Sequence, residues 1–230
     1  MKKAENKEIK AAIFAIDRLR MGTDGPGITT LVAFMGCPLR CKYCINAQCH
    51  EPIYEADGKT LRPGIMMLTP QQLYDKVKID NIYFQATGGG ICFGGGEPGL
   101  QAEFIEEFRK ICGNKWQITI ETSLCLDPGI VEWLDGSVDN WIIDFKTLHD
   151  DIFKKYTETN LGYLRFNLTL LRHIRGNVTI KVPEIPGYTT EESIKITIAN
   201  LERFRLTNIK RIKYIPKIAR YSELIEPTKP

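Results

Sequence analysis

The stretch GCPLRCKYCINAQCH, residues 36–50, contains four of the chain's seven cysteines and one of its three histidines. Three residues separate Cys37 from Cys41, and two separate Cys41 from Cys44, so three thiols lie close together along the chain. Thiolates are the soft ligands that zinc and iron–sulfur clusters prefer. An apolar run, residues 28–34, ends just before Gly36. The sequence therefore predicts a metal-binding loop at the end of a strand.

Two kinds of metal site suit this spacing. Structural zinc takes four protein ligands in a closed tetrahedron, and Cys49 or His50 could supply the fourth. A [4Fe–4S] cluster held by only three cysteines leaves one iron open to an outside ligand, which is a reactive arrangement. Gly36 and Pro38 favour a tight loop that turns the three thiols inward. The spacing alone leaves both kinds of site open.

Short apolar runs rich in β-branched residues recur along the chain and alternate with helical patterns. A helix-start signal of this kind is Thr69-Pro70-Gln71-Gln72, which offers a capping box with proline at the first helical position. Continuous apolar strands that alternate with helices predict a parallel sheet covered on both faces. Six units are too few for a closed eightfold barrel, so we expect an α/β fold, a partial and open (β/α)6 TIM-like barrel. The six runs are residues 28–34, 90–93, 117–121, 141–145, 178–182 and 209–215.

Unusual residues follow four of these runs directly. The cysteine loop follows the first, GGGEP (residues 94–98) the second, ETS (residues 121–123) the third and DFK (residues 144–146) the fourth. In barrels of this kind the chemistry lies at the carboxyl ends of the strands. Because these ends share one rim, the four motifs predict a single site.

Composition sets the remaining limits. The chain has 230 residues with a formal net charge of +3, too small a charge to indicate nucleic acid binding. We expect a single domain over residues 1–230, with a lead-in (1–27), a barrel core (28–215) and a C-terminal tail (216–230). Residues 191–230 carry nine Lys or Arg and five Asp or Glu. This basic segment indicates either a solvated face or a docking surface for an acidic partner.

The apolar segments, the N-terminal residues and the cysteines indicate the cellular compartment. No stretch approaches the ~20 apolar residues that span a bilayer, so no membrane partner is expected. The N-terminal residues are interrupted by Glu5, Glu8 and Asp17 and lack the apolar segment of a signal peptide. We therefore expect a cytoplasmic protein. A reducing compartment keeps seven cysteines as thiols, which favours metal binding over disulfides.

CPLRCKYC matches the CxxxCxxC signature of radical S-adenosylmethionine (SAM) enzymes, with Tyr43 just before the last cysteine. The chain also carries GTDGPG before this loop, then TGGG and GGGEP, WIIDFK and VPEIPGY, in order across residues 22–188. Together these landmarks resemble the glycyl-radical-enzyme activating enzymes. The cysteine signature marks the superfamily, and the DGPG and TGGG elements point to the activating enzymes within it.

The resemblance implies a ligand set. Cys37, Cys41 and Cys44 would bind one [4Fe–4S] cluster, and the amino and carboxylate groups of SAM would chelate its fourth iron. Cys49 and His50 are then not ligands. Relatives with extra clusters insert a cysteine-rich stretch after this loop, whereas residues 51–66 contain no cysteine. The resemblance therefore implies a single cluster.

The resemblance also implies residues that contact SAM. The GGGEP backbone would bind the amino group and Lys146 the carboxylate. Carboxylates grouped nearby would stabilise the sulfonium cation, and Tyr43 would lie beside the adenine, mainly through its backbone. Lys181 is a further candidate for contact with SAM or the target peptide. The implied SAM contacts are Tyr43, Gly95, Gly96, Glu97, Glu121, Asp144 and Lys146.

Two departures from the family affect the pocket lining. Some activating enzymes carry a histidine after the proline that closes the sixth strand, whereas here Lys217 follows Pro216. The third-strand motif reads ETSLC, where ETSG or DTNG is typical. Cys92 lies two residues before GGGEP, and we interpret it as a small, buried and inert thiol.

The implied activity is reductive cleavage of SAM, followed by removal of a glycine hydrogen from a partner glycyl radical enzyme by the 5′-deoxyadenosyl radical. Flavodoxin or ferredoxin would supply the electron. One alternative is a radical SAM enzyme that acts on a small molecule, such as the 7-carboxy-7-deazaguanine synthases. Another is a metal-binding regulatory module without catalysis, which the converging motifs disfavour.

Overall fold

The computed structural model describes residues 8–213, which form one eight-stranded sheet and seven α-helices. The strands are β1 (Ala11–Met21), β2 (Ile28–Phe34), β3 (Met66–Leu68), β4 (Gly90–Gly95), β5 (Gln117–Thr122), β6 (Asn140–Asp144), β7 (Asn177–Glu184) and β8 (Ile209–Lys213). The helices are α1 (Pro70–Val77), α2 (Asn81–Thr87), α3 (Ala102–Cys112), α4 (Pro128–Leu134), α5 (Asp150–Thr157), α6 (Gly162–Leu170) and α7 (Glu191–Arg203).

The sheet has the order β3-β1-β2-β4-β5-β6-β7-β8 and does not close on itself. Strands β2 and β4 to β8 are parallel, and they are the six strands that the sequence predicts. The partial, open barrel is therefore confirmed. The last predicted run reaches residue 215, but β8 is described only to Lys213. Residues 214 and 215, like Lys217, lie outside the described part of the chain.

The lead-in expected over residues 1–27 contains a strand that the sequence analysis did not predict. Strand β1 pairs antiparallel with β2, with Ile13 opposite Phe34, and with β3 on its other side. Its first half is buried and its second half is exposed. The early apolar residues belong to the core, while the charged residues near its end hide the strand pattern from a periodicity argument.

Aromatic side chains between the sheet and its helices fix the first parallel strands against each other. Phe34 of β2 stacks on Phe93 of β4 with ring centroids 5.3 Å apart, and Phe93 meets Phe108 of α3 edge-on at 5.4 Å. All three rings are fully buried. Burying one such side chain contributes about 1.5–3 kcal/mol. This packing keeps β2 and β4 in register, so the loops that follow them leave from adjacent points.

The predicted capping box begins α1 as expected. The Thr69 hydroxyl accepts a hydrogen bond from the Gln72 backbone N–H at 3.1 Å, and the Gln72 side chain accepts one from the Thr69 N–H at 2.9 Å. Both bonds satisfy N–H groups that have no partner inside the helix. None of the described helices is long and apolar enough to cross a membrane.

The DGPG loop precedes β2 and closes the end of the barrel at the amino ends of the parallel strands. Asp24 is buried and pairs with Arg20 of β1. Gly25 has φ +119, and a Cβ built there would lie 3.2 Å from the Thr119 Cβ inside the barrel. Only glycine permits both this backbone conformation and this close approach. The DGPG loop therefore packs directly against the Thr119 side chain of β5.

The described part of the basic segment is only partly free to attract a partner. Arg211 of β8 donates to Glu184 at 2.6 Å and to Glu191 at 2.9 Å, so its charge is already compensated. Lys210 and Lys213 are exposed on the same strand. Lys195, Arg203 and Arg205 are exposed as well, and the cations from Lys217 onward lie outside the described residues.

Candidate functional site: a cysteine loop beside two partly buried ion pairs

The four predicted motifs meet at one rim, as expected from the parallel sheet. Phe34, which ends β2, lies opposite Gly95 at the end of β4, and Asp144, which ends β6, lies opposite Lys181 of β7. Glu121 of β5 lies opposite Ile142 of β6. Along their strands, Glu121, Asp144 and Lys181 alternate with side chains that pack against the helices, so these three face the concave side of the sheet.

The cysteine loop is fastened at both ends. The Gly36 N–H donates to the Cys49 carbonyl at 2.8 Å, which closes the loop on itself. The Arg40 N–H donates to the Thr157 carbonyl at 2.8 Å and the Lys42 N–H to the Tyr156 carbonyl at 3.1 Å, which ties the loop to the end of α5. The loop is therefore held over the rim before any ligand binds.

The three predicted ligands are half-buried free thiols. Burial raises the pKa of Cys37 to about 12 and that of Cys41 to about 11. A hydrogen bond from the Cys49 thiol lowers the pKa of Cys44 to about 6, and the same contact, together with burial, raises the pKa of Cys49. Metal binding has to displace the protons of Cys37 and Cys41. Three thiols on one short, anchored loop suit a thiophilic metal group.

The spacing of these side chains bears on which metal group they suit. A tetrahedral zinc ion draws its sulfur ligands to within about 4 Å of one another, whereas each cysteine of a [4Fe–4S] cluster binds a different iron. The donor set itself, three free thiols on one loop, fits the cluster, in which three cysteines would leave one iron open to an outside ligand.

Cys49 and His50 lie at the far end of the loop. Cys49 is buried, with its thiol donating to Cys44 as described. His50 contacts the Arg40 guanidinium through Nδ1, and burial lowers the pKa of its imidazole. Its Nε2 is buried without a hydrogen-bond partner among the described residues. That neither residue is a ligand stays a prediction, but Cys49 has a role that the sequence did not suggest, as the hydrogen-bond partner of Cys44.

The GGGEP loop packs directly on the start of the cysteine loop. The Gly96 N–H donates to the Phe34 carbonyl at 2.9 Å, and the Glu97 N–H donates to the Gly36 carbonyl at 2.8 Å. Gly95 has φ +88, and a Cβ built there would lie 2.7 Å from the Ala33 Cα. At Gly96 a Cβ would collide with the Gly36 carbonyl. The two loops therefore touch backbone to backbone, which only glycine allows.

The carboxylate of Glu97 is occupied by hydrogen bonds within the protein. It is fully buried and accepts hydrogen bonds from the Thr122 hydroxyl at 2.6 Å, the Ser123 hydroxyl at 2.7 Å and the Ser123 N–H at 2.9 Å. Burial raises its pKa, and these hydrogen bonds oppose the rise. The side chain thus ties the end of β4 to the ETS turn after β5. A ligand at this loop would therefore meet its backbone carbonyls rather than the Glu97 carboxylate.

Two ion pairs lie side by side on the concave face. Lys146 pairs with Asp144, and Lys181 donates to Glu121 at 2.6 Å. Burial lowers the pKa of Lys146, but the charge of Asp144, the nearby Cys41 and the hydrogen bond to Asp144 together outweigh burial, so the net pKa is raised. Burial raises the pKa of Glu121, and Lys181 opposes this. The rim thus presents both signs of charge, which suits SAM with its carboxylate and its sulfonium.

Three tyrosines form a wall next to the cysteine loop. The Tyr43 ring meets Tyr188 edge-on at 6.1 Å and lies 6.3 Å from Tyr156. Tyr156 of α5 is buried, which raises the pKa of its phenol to about 12. The predicted adenine contact, Tyr43, therefore belongs to an aromatic surface. Tyr188 lies in the VPEIPGY landmark, but no sequence signal indicated Tyr156.

Asn46 is a further site residue that sequence reasoning missed. Its side-chain amide donates to the Gly95 carbonyl at 2.9 Å, and its backbone N–H lies against the Cys44 thiol. The only available signal was an amide side chain two residues after a predicted metal ligand, which is weak. Cys92, by contrast, is fully buried in the sheet, as the sequence predicted.

Comparisons with known proteins agree with this geometry. The family model of the radical SAM superfamily matches residues 31–197. The chain is 31% identical over 194 residues to the pyruvate formate-lyase-activating enzyme of Clostridium pasteurianum, covering 84% of this chain and 76% of that protein. It is 27% identical to the choline trimethylamine-lyase activating enzyme of Oleidesulfovibrio alaskensis, in an alignment that covers 91% of this chain and 84% of that protein.

The fold has solved counterparts. A crystal structure of Streptococcus suis SuiB bound to S-adenosylmethionine matches with a TM-score of 0.56 and 14% identity, over 81% of this chain and 39% of that chain. At this identity the likeness concerns the fold alone. The family match, the curated relatives and the cysteine loop agree: the chain belongs to the radical SAM superfamily and, within it, to the glycyl-radical-enzyme activating enzymes.

Proposed function

We propose that the protein activates a glycyl radical enzyme by removing one hydrogen from a backbone glycine of that partner. When bound, one [4Fe–4S] cluster and SAM supply the chemistry, a one-electron cleavage of the sulfonium that yields a reactive primary carbon radical. The protein's own residues bind and orient these groups and exclude water. The relatives that support this proposal are activating enzymes by name.

Each site residue has a proposed part in binding. Cys37, Cys41 and Cys44 ligate the cluster. The Gly95, Gly96 and Glu97 backbone receives the amino group of SAM, and the Lys146 ammonium receives the carboxylate. Glu121 and Asp144 lie on the concave face, where their charges stabilise the sulfonium. Tyr43 and the tyrosine wall border the adenine. The described residues that we propose bind SAM are Tyr43, Gly95, Gly96, Glu97, Glu121, Asp144 and Lys146.

One observation carries the proposal. Three hydrogen bonds join the GGGEP loop to the end of β2 and to the cysteine loop that follows it: from Gly96 to Phe34, from Glu97 to Gly36 and from Asn46 to Gly95. A ligand that bridges these loops would be held against the metal group by fixed backbone atoms, with no reorganisation on binding. Chelation of one iron by an amino acid moiety requires such a junction.

The partners are proposed on the same basis. The protein substrate is a glycyl radical enzyme, and the electron donor is flavodoxin or ferredoxin. Glycine suits the reaction because it has no side chain, so its backbone can enter a narrow site in unusual conformations. We place the protein in the cytoplasm, where its seven cysteines stay reduced.

A deuterium-transfer experiment tests the proposal. The glycyl radical enzyme from the same genome, labelled with glycine deuterated at Cα, is mixed with the cluster-loaded protein, SAM and a chemical reductant. We expect 5′-deoxyadenosine that carries one deuterium by mass spectrometry. Unlabelled 5′-deoxyadenosine, formed while a small molecule such as a pterin is consumed, would instead identify an enzyme of the 7-carboxy-7-deazaguanine synthase kind.

A further inference from the structure

A groove of about 430 Å³ lies at the amino ends of β7 and β8. Its walls are the turn that follows α6, residues 171–173, and the loop between α7 and β8, residues 205–208, and Val178 of β7 also lines it. Because β7 and β8 are parallel, both wall segments lie at the end of the sheet opposite to the four motifs. A ligand in this groove would therefore leave the proposed SAM site free.

Two arginines line the groove, one from each wall, and neither has a partner. Within residues 8–213, Arg172 and Arg205 are the only arginines whose side chains form no hydrogen bond or ion pair with another described residue. His173 lines the same groove beside Arg172. All three side chains are exposed, so a ligand from solvent can reach them.

The acids near the groove do not neutralise these two arginines. Asp135 and Asp139, which precede β6 in the chain, each pair with another arginine. Glu202, three residues before Arg205, is exposed, and its carboxylate forms no ion pair with a described residue. Two unpaired guanidinium groups are thus set against one unpaired carboxylate, which leaves an excess of positive charge at the groove. Such a surface attracts anions.

The backbone of Arg205 has a conformation that favours glycine. Its φ is +62, and it lies just after α7, where helices commonly end on a left-handed glycine. The Arg205 N–H donates to the Glu202 carbonyl at 2.8 Å, and the Leu206 N–H donates to the Leu201 carbonyl at 3.2 Å. These two bonds fix the turn. An arginine thus occupies a position that suits glycine better, which points to a role for its side chain.

The rest of the lining suits a ligand larger than a bare anion. Leu171 and Leu206 are buried and give the groove an apolar base. The side-chain amide of Asn208 donates to two acceptors of β7, at 3.2 and 2.7 Å, so its carbonyl oxygen is the atom left to accept a hydrogen bond. The volume lies within the range of small-molecule sites.

These features match one class of small molecule. Arginine binds phosphate oxygens through two parallel N–H groups, and a phosphate monoester carries a charge of about −1.5 to −2 at pH 7, which two guanidinium groups balance. A flat, weakly polar ring suits the leucine base, and an N–H or O–H donor on the ligand suits the Asn208 oxygen. A nucleoside monophosphate combines the three.

We propose that the groove binds a nucleoside monophosphate, with its phosphate between Arg172 and Arg205 and its base on Leu171 and Leu206. Asn208 accepts a hydrogen bond from the base or the ribose. The inference goes beyond the proposed function and does not depend on it, because no residue of the groove belongs to the proposed cluster or SAM site. Binding makes and breaks no covalent bond.

Calorimetric titration of the full-length, cluster-loaded protein tests the inference. SAM is present at saturation, so that its own adenine site is filled. The four ribonucleoside monophosphates, their nucleosides and inorganic phosphate are titrated in turn. The variants are Arg172→Ala and Arg205→Gly. The matched control is Lys195→Ala, which removes one exposed cation of α7 that does not line the groove. Thermal unfolding of each variant is recorded alongside.

We expect at least one monophosphate to bind about tenfold or more tightly than its nucleoside and than inorganic phosphate. Each arginine variant should bind that monophosphate about tenfold more weakly, and Lys195→Ala should bind it like the parent. Higher salt should weaken binding to the parent, because the charges are exposed. Arg205→Gly should keep or raise the melting temperature, because glycine suits this backbone conformation.

Four results would overturn the inference. No monophosphate binds, or both arginine variants bind it like the parent, which would place the site elsewhere. Inorganic phosphate binds as tightly as the monophosphates, which would make the groove a site for a bare anion. Binding is lost only in a variant whose melting temperature has fallen, which would report damage to the fold. Each of these results leaves the proposed function unchanged, since glycyl radical formation is measured separately.

Discussion

The side-chain amide of Asn46, two residues after the last cysteine of the loop, donates a 2.9 Å hydrogen bond to the backbone carbonyl of Gly95. This contact joins the loop that we propose holds the cluster to the loop that we propose holds SAM. The two loops are 49 residues apart in the chain, so the hydrogen bond is a product of the register between β2 and β4.

Substituting Asn46 with Ala should leave the cluster in place and weaken SAM binding about fivefold, the equivalent of one hydrogen bond of ~1 kcal/mol. The loss arises because the Gly95 carbonyl is no longer held in one position. Iron content and SAM titration followed by electron paramagnetic resonance (EPR) measure the two effects. Gln48→Ala, an exposed neighbour in the same loop, is the matched control. Unchanged SAM affinity in the Asn46 variant would show that the contact is incidental.

The cluster assignment makes a second prediction. The protein reconstituted without oxygen should hold about four irons per chain, and replacement of Cys37, Cys41 or Cys44 with Ala should abolish this. Cys49→Ala should retain the irons, although loss of its hydrogen bond to Cys44 should alter the EPR spectrum of the reduced cluster. Analysis of the iron and zinc content of each variant shows which metal is bound and which cysteines hold it. Stoichiometric zinc, or loss of iron in Cys49→Ala, contradicts the ligand set.

The third prediction concerns the partly buried ammonium of Lys146. Lys146→Met keeps the volume of the side chain and removes the charge that we propose binds the SAM carboxylate. We expect SAM affinity to fall by at least about tenfold, since a charge-assisted hydrogen bond contributes roughly 1.5–3 kcal/mol. The cluster should persist, because its ligands lie on another loop. Lys195→Met, at an exposed position of α7, should bind SAM like the parent, and equal affinities in both variants refute the assignment.

Features that depend on neighbouring residues in the chain could be predicted from the sequence, and features that depend on contacts between distant residues could not. The six parallel strands and the rim follow from apolar runs and from the motifs directly after them, which is local information. Strand β1 escaped prediction because its exposed second half, with Asp17, Arg18 and Arg20, interrupts the pattern. The Asn46–Gly95 contact escaped it because a hydrogen bond across 49 residues depends on strand register.

The carboxylates of the site illustrate the same limit. Sequence marked Glu97 as part of a ligand-binding loop, and the structure shows its side chain buried against Thr122 and Ser123. The ETSLC motif differs from the typical family motif, and the sequence analysis related this difference to the pocket lining. In the structure, Thr122 and Ser123 of this motif anchor the GGGEP loop through Glu97. Tertiary contacts decide to which face of the sheet a side chain at the end of a strand points. A sequence motif does not contain that information.

A fourth prediction concerns stability against acid. Asp80 is fully buried and accepts hydrogen bonds from Arg18 Nε at 2.8 Å and Thr30 Oγ1 at 3.0 Å. The Arg18 hydrogen bonds hold the pKa of Asp80 below its usual value. The stability that Asp80 contributes is therefore present above its unfolded pKa of about 3.9 and is lost as pH falls through the folded value.

Asp80→Asn should accordingly lower the melting temperature at pH 7, and the difference from the parent should shrink as the pH falls below about 4. Thermal unfolding followed by circular dichroism between these pH values measures this. Asp75→Asn is the control, because Asp75 is an exposed acid of the adjacent helix. A difference between parent and Asp80→Asn that stays constant across the whole range would show that charge is not the cause.

The central claim is that the hydrogen comes from a glycine backbone of a partner protein. The direct measurement is an EPR spectrum of the reduced protein mixed with SAM and the glycyl radical enzyme from the same genome, recorded in ordinary and in deuterated water. We predict a doublet that collapses to a singlet in deuterated water, because the remaining Cα hydrogen of a glycyl radical exchanges. SAM consumption by the same mixture without any protein radical would contradict the account.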